Sequence, residues 1–126
     1  MDAKAKIAQL LTRWIHAVQT ENPDKVVALY APDAILLPTV SARVRHNHEE
    51  IRDYFVHFLS KKPVGSITEQ NIRLYGDIAV NSGLYNFHLS EGDTTTNAAA
   101  RFSFVYRKFD NHWLIIEHHS SLLPDG

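Results

Sequence analysis

Apolar residues recur in two rhythms along the chain, first that of a helix and then that of a strand. Ile7, Leu10, Leu11, Trp14, Ile15 and Val18 fall at i, i+3, i+4, i+7, i+8 and i+11, which predicts a helix with one apolar stripe. It stops near Thr20-Glu21. Asn22-Pro23-Asp24 then restarts a helix, with Asn22 as cap, Pro23 at the first helical position and Asp24 at the positive helix end. This second helix is short, about Pro23 to Tyr30, and Pro32 stops it. Asp33 to Val40 predicts a short strand broken by Pro38. Asn47-His48-Glu49-Glu50 reads as a capping box. Ile51, Tyr54, Phe55, Phe58 and Leu59 repeat the helical spacing before Lys61, Lys62 and the terminating Pro63.

From there the period changes to two. Strands are predicted over Ile67 to Tyr75, Ile78 to Leu89, Thr94 to Phe109 and Trp113 to Leu122, with turns at Gly76-Asp77, Glu91-Gly92-Asp93 and Asp110-Asn111. Three helices with one short strand among them, followed by a meander of long antiparallel strands, is an α+β domain. A twisted sheet wrapping the helices gives a cone, and a cone leaves a hollow at its open end. Strict alternation puts Phe102, Phe104 and Tyr106 on one face, with Arg101, Ser103, Val105 and Arg107 on the other. It likewise separates Trp113 and Ile115 from Leu114, Ile116 and Leu122. Apolar residues therefore occur on both faces of the sheet, which points to an oligomer packed sheet to sheet, at least a dimer; scattered surface apolar residues are the simpler alternative.

Composition narrows the classes of function. The 126 residues hold thirteen basic and fourteen acidic side chains, for a formal charge of −1, which argues against a nucleic-acid partner held by phosphate neutralisation. The absence of Cys rules out disulfides, iron–sulfur clusters and thiol catalysis. MDAKAKIAQLL has no apolar signal-peptide core, and no apolar run approaches the roughly 18 residues of a membrane span, so a cytoplasmic protein without membrane partners is expected. Eight His make the charge sensitive to pH near 6.

The candidate chemistry concentrates in the tail. On an unbroken strand Glu117, His119 and Ser121 share one face, and His118 and Ser120 the other. Glu117 and His119 are the candidate catalytic pair, because a neighbouring carboxylate orients an imidazole and raises its pKa. The alternative is a polar network at the open end of the cone or in a dimer interface. Arg101 follows three alanines that leave room beside it. It either clamps a ligand carboxylate or pairs with Glu117 across strands. Trp14 and Tyr54 lie on helical apolar stripes and either line the hollow or fill the core. Trp14, Tyr54, Arg101, Glu117 and His119 are thus the candidate ligand-binding residues. His46 and His48 have no third ligand nearby, so no metal is expected, and no cofactor is implied. The only acids near the hollow, Asp33 and Glu117, have no matching oxyanion pair for steroid isomerisation. Ser120 and Ser121 sit on a strand, not on the sharp turn of a hydrolase nucleophile.

The element order resembles the nuclear-transport-factor-like (SnoaL-like, cystatin-like cone) superfamily. Three segments resemble one branch more closely: Val44-Arg45-His46-Asn47-His48-Glu49-Glu50-Ile51-Arg52-Asp53-Tyr54-Phe55, Phe104-Val105-Tyr106-Arg107-Lys108, and Trp113-Leu114-Ile115-Ile116-Glu117-His118-His119-Ser120-Ser121-Leu122-Leu123-Pro124. That branch comprises bacterial relatives of the calcium/calmodulin-dependent protein kinase II association domain, of the SgcJ/EcaC type. The resemblance implies a single nuclear-transport-factor-like association domain over 1–126, a conical fold, dimerisation through the sheet and higher rings in the kinase version. Nothing resembles a kinase catalytic domain. The kinase hub's carboxylate-holding arginines do not fall on Arg here; two of the positions come near Asn86 and Phe104, with Arg101 one pleat away. Two functions follow as expectations. One is a non-enzymatic, oligomerising association domain with a small-molecule-sized pocket. The other is a SnoaL-like enzyme or binder of a carboxylate or polyketide-like molecule, using acid/base residues in the cone.

Overall fold

Helical spacing gives way to strand spacing at Pro63, and in the computed structural model, which describes residues 2–125, the fold changes from helix to sheet at the same point. Helix α1, Ala3–Gln19, is capped by Asp2, whose carboxylate accepts from the Ala5 N–H at 2.7 Å. Its apolar stripe buries Ile7, Leu11, Trp14, Ile15 and Val18. Helix α2, Pro23–Val27, is shorter than its spacing predicts. The chain leaves it early because the sheet takes over: the Ile115 N–H donates to the Leu29 carbonyl at 3.0 Å, and Tyr30 pairs with Ile115. Strand β1, Tyr30–Leu37, therefore starts before Pro32. A register shift between Tyr30 and Ile35 spans that proline, which cannot donate to a ladder. Helix α3, His48–Leu59, buries Ile51, Tyr54, Phe55 and Leu59. Asn47 caps it, accepting from the Glu50 N–H at 2.9 Å. Glu50 turns back one residue further than a capping box does. It accepts from the His46 backbone at 3.0 Å and meets the His46 ring at 2.9 Å, and these bonds hold its carboxyl below the usual range.

Four antiparallel strands follow: β2, Val64–Tyr75; β3, Ile78–Glu91; β4, Thr94–Phe109; and β5, His112–Leu122. The sheet order is β1-β5-β4-β3-β2, so the first strand joins the last. That pair is parallel, the one departure from an antiparallel sheet. The three helices lie against one face. Tyr85, Phe87, Phe102, Phe104, Tyr106 and Ile115 point from the sheet into their common core. Facing away from the helices are Ile78, Val80 and Leu84 of β3, Val105 of β4, and Ile35 and Leu37 of β1. No helix among the described residues is long and apolar enough to cross a membrane.

The sheet curves because its ladders are interrupted. Between Ile67 and Glu69 the register of β2 against β3 shifts, and Gly83 lies beside that kink, paired with Gln70. A Cβ on Gly83 would sit 2.0 Å from the Glu69 carbonyl oxygen, so only glycine fits there without moving backbone. Gly83→Ala is expected to destabilise the domain by about 1–3 kcal/mol, the usual cost of overpacking. Urea unfolding measures it, and a change within a few tenths of a kcal/mol would contradict this account of the curve.

Candidate functional site

One extra residue in β5 decides which side chains enter the cone. Ile115 pairs with Tyr106 and Glu117 with Val105, so Ile116 has no partner and the strand bulges. A one-residue slip exchanges the faces of every residue beyond it. Upstream, Ile115 is buried in the core; downstream, His118 and Ser120 are buried, and Glu117 and His119 are exposed on the outer face. The expected acid/base pair of Glu117 and His119 is therefore not assembled inside the cone. Arg101, between Leu84 and Ser121 in the ladder, also points outward, away from the cavity its neighbour Ala100 lines. It pairs with Ser121, while Glu117 pairs with Val105, so these two charges are not direct cross-strand partners. Trp14 and Tyr54 do face inward.

They meet at a cavity of about 40 Å³. Its walls are aromatic and aliphatic, from Phe55, Phe58, Phe87 and Leu36 among others, and it opens beside Val40, Leu89 and Ala98. Val40 is 65% exposed at this mouth. Trp14 is the hub of the floor. Its ring stacks on Tyr85 at 5.8 Å and meets Phe104 and His118 edge-on, each at 5.3 Å. Phe104 in turn stacks on the His118 ring at 3.9 Å.

The polar atoms of the floor form one chain. The Trp14 indole N–H donates to the Tyr30 hydroxyl at 3.1 Å. Tyr30 lies 2.8 Å from His118 Nδ1, and Tyr85 lies 3.2 Å from His118 Nε2. Tyr85 donates to Ser120 at 2.7 Å, and Ser120 bonds the Thr39 hydroxyl. At the rim, the Tyr54 hydroxyl donates to the Thr39 carbonyl at 3.2 Å. Burial pushes the His118 pKa down to about 3, with His119 adding a smaller repulsion, so the ring is neutral at ordinary pH. Burial likewise pushes the Tyr30, Tyr85 and Tyr54 phenols up. No Asp, Glu, Lys or Arg lines the cavity. It is an uncharged site in which every polar side chain of the floor is hydrogen-bonded.

Tyr30, Thr39, Tyr85, His118 and Ser120 are thus site residues that pattern reading misses. His118 and Ser120 were legible as sharing a face; which face depended on the bulge. Tyr85 carries a usable signal, since Ala79, Tyr85 and Phe87 fall in one phase of β3. His46 and His48 do not converge. His46 is on Glu50, and His48 Nε2 lies 2.7 Å from the Tyr30 carbonyl. Among the described residues no group of three or more His, Asp or Glu could hold a metal ion.

The fold has relatives among known proteins. The family model for the calcium/calmodulin dependent protein kinase II association domain matches residues 3–124. A Xanthomonas campestris structure, assigned provisionally to that association domain, is 47% identical, with a TM-score of 0.94 over 99% of this chain and 91% of that one. The hub homology domain of the same kinase from Chlamydomonas reinhardtii superposes with a TM-score of 0.82 at 18% identity, covering 98% of this chain and 100% of that one. A Streptomyces avermitilis protein of the NTF2-like family, assigned provisionally as a dehydratase, has a TM-score of 0.85 at 14% identity, covering 97% and 96%. The last two show the fold alone. No curated protein matches the chain.

A neutral buried imidazole leaves a signature in stability. The folded protein keeps His118 unprotonated down to about pH 3, whereas the unfolded chain takes up that proton near pH 6.5. The unfolded state binds the extra proton between those values. The stability linked to this group is therefore complete above pH 6.5 and declines as pH falls towards 3, by up to about 1.4 kcal/mol per unit. Urea unfolding at about pH 7.5 and pH 4.5 should show the unsubstituted chain losing roughly 2–3 kcal/mol more than His118→Gln. Parallel losses in the two proteins would contradict the buried neutral ring.

Proposed function

The chain belongs to the calcium/calmodulin-dependent protein kinase II association-domain family, and on that premise we propose that it is a non-enzymatic association domain that assembles with copies of itself through the sheet face turned away from the helices. The observation that carries this is the band of Ile35, Leu37, Ile78, Val80, Leu84 and Val105 on that face, which no helix covers. Each such side chain is worth about 1.5–3 kcal/mol when fully buried. A two-fold pairing uses every one of them twice. Arg101, Glu117 and His119 belong to the same face. Both signs of charge are present there, which suits a self-complementary surface and sets its register. This gives the exposed tail residues a role in pairing in place of acid/base chemistry.

A second reading concerns the cone itself, and its supporting observation is the half-open cavity with a polar floor. We read it as a binding site for a small molecule, with Trp14 and Tyr54 among its walls. The absence of a lining cation argues against a carboxylate, whose burial without a partner is costly.

Light scattering coupled to size exclusion tests the assembly. The unsubstituted chain should run as a dimer or larger species, and Val80→Lys with Val105→Lys should run as a folded monomer. A monomeric unsubstituted chain, or a double variant with unchanged mass, would overturn the sheet-face reading.

A further inference from the structure

The hydrogen-bond chain on the cavity floor has a direction, and that direction fixes what the cavity offers. An indole N–H can only donate. Tyr30 therefore accepts from Trp14. Its own proton, fully buried, has only His118 Nδ1 to go to, at 2.8 Å. Were Nδ1 the protonated nitrogen, the phenol would receive two donors and its own hydrogen would be orphaned, at the full cost of an unmade bond. A neutral imidazole that accepts at Nδ1 carries its hydrogen on Nε2. That hydrogen donates to the Tyr85 oxygen at 3.2 Å, and Tyr85 passes its own on to Ser120 at 2.7 Å. Ser120 and Thr39 then hold two hydroxyl hydrogens and share one bond between them. Whichever way that bond runs, one hydrogen is left over. Among the described residues neither hydroxyl has a further side-chain or backbone partner. Both residues line the cavity.

We propose that the cone takes a neutral, largely apolar ligand carrying one hydrogen-bond acceptor of the ketone, aldehyde or ester carbonyl type, and that the Thr39–Ser120 pair donates to it. This deepens the cavity reading above and rests on it. The walls supply apolar contact, and the floor supplies one spare donor hydrogen on the Thr39–Ser120 pair. A cavity of about 40 Å³ admits only a group of a few atoms, here the carbonyl end of a molecule whose remainder leaves past Val40 and Leu89. A donor-only ligand can reach only a hydroxyl lone pair and leaves the spare hydrogen without an acceptor. An anion finds no cation.

The test is a set of nuclear magnetic resonance titrations of the folded chain at neutral pH with cyclopentanone, pyrrole and cyclopentanecarboxylate. They represent the acceptor, the donor and the anion on five-membered rings. Cyclopentanone should shift the Thr39, Tyr85 and Ser120 amides and bind roughly tenfold more tightly than either of the others, the factor one net hydrogen bond is worth. Ala98→Leu fills the mouth without touching the hydrogen-bond chain and should abolish those shifts. Pyrrole or the carboxylate binding as tightly as the ketone would overturn the polarity argument while leaving the cavity as a ligand site. No binding by any of the three, or shifts that survive Ala98→Leu, would overturn the cavity reading itself.

Discussion

A histidine ring inside an aromatic cone is tolerable only when both its nitrogens are bonded, because a buried polar group left unpaired costs about as much as several good contacts provide. His118 meets that condition through Tyr30 on one side and Tyr85 on the other. The requirement reaches far through the fold. Tyr30 opens β1, Tyr85 lies in mid β3, and Trp14, which sets the direction of the whole chain, comes from α1. The first strand must therefore lie beside the last. The sheet order β1-β5-β4-β3-β2 provides that neighbour, and the parallel β1–β5 pair closes the floor of the cone.

The bulge at Ile116 is the second constraint, and it serves the first. Without the extra residue, Ile115 and His118 would point to opposite faces of the sheet. With it, both enter the core, and the charged tail residues are turned onto the outer surface. One local irregularity thus separates two jobs that lie within five residues of sequence. His118 and Ser120 serve the interior. Glu117 and His119 lie on the outer face, beside its apolar band. The cavity lining is uncharged, and the outer face carries both signs of charge.

Most of the architecture was legible in the sequence because it rests on periodicity. The helical stripes of Ile7 to Val18 and Ile51 to Leu59, the caps Asn22 and Asn47, and the alternation of Phe102, Phe104 and Tyr106 each leave a local trace. What was not legible depends on contacts distant in sequence. Helix α2 gives way early because Leu29 and Tyr30 are claimed by Ile115, some 85 positions later. The bulge leaves no residue signature of its own, and it reverses the assignment of the tail. The inward placement of Trp14 and Tyr54 was legible because helix phase survives local error. Glu117 and His119 point outward because strand phase does not survive the bulge, whereas Arg101 lies on the face its alternation gave it.

The protonation of His118 is the point on which the account of the interior stands, and ¹⁵N nuclear magnetic resonance of the imidazole reads it directly. The account predicts an unprotonated Nδ1 and a protonated Nε2 at neutral pH, with both signals unchanged down to about pH 5. A proton on Nδ1, or a titration near the ordinary histidine value of 6.5, would contradict it.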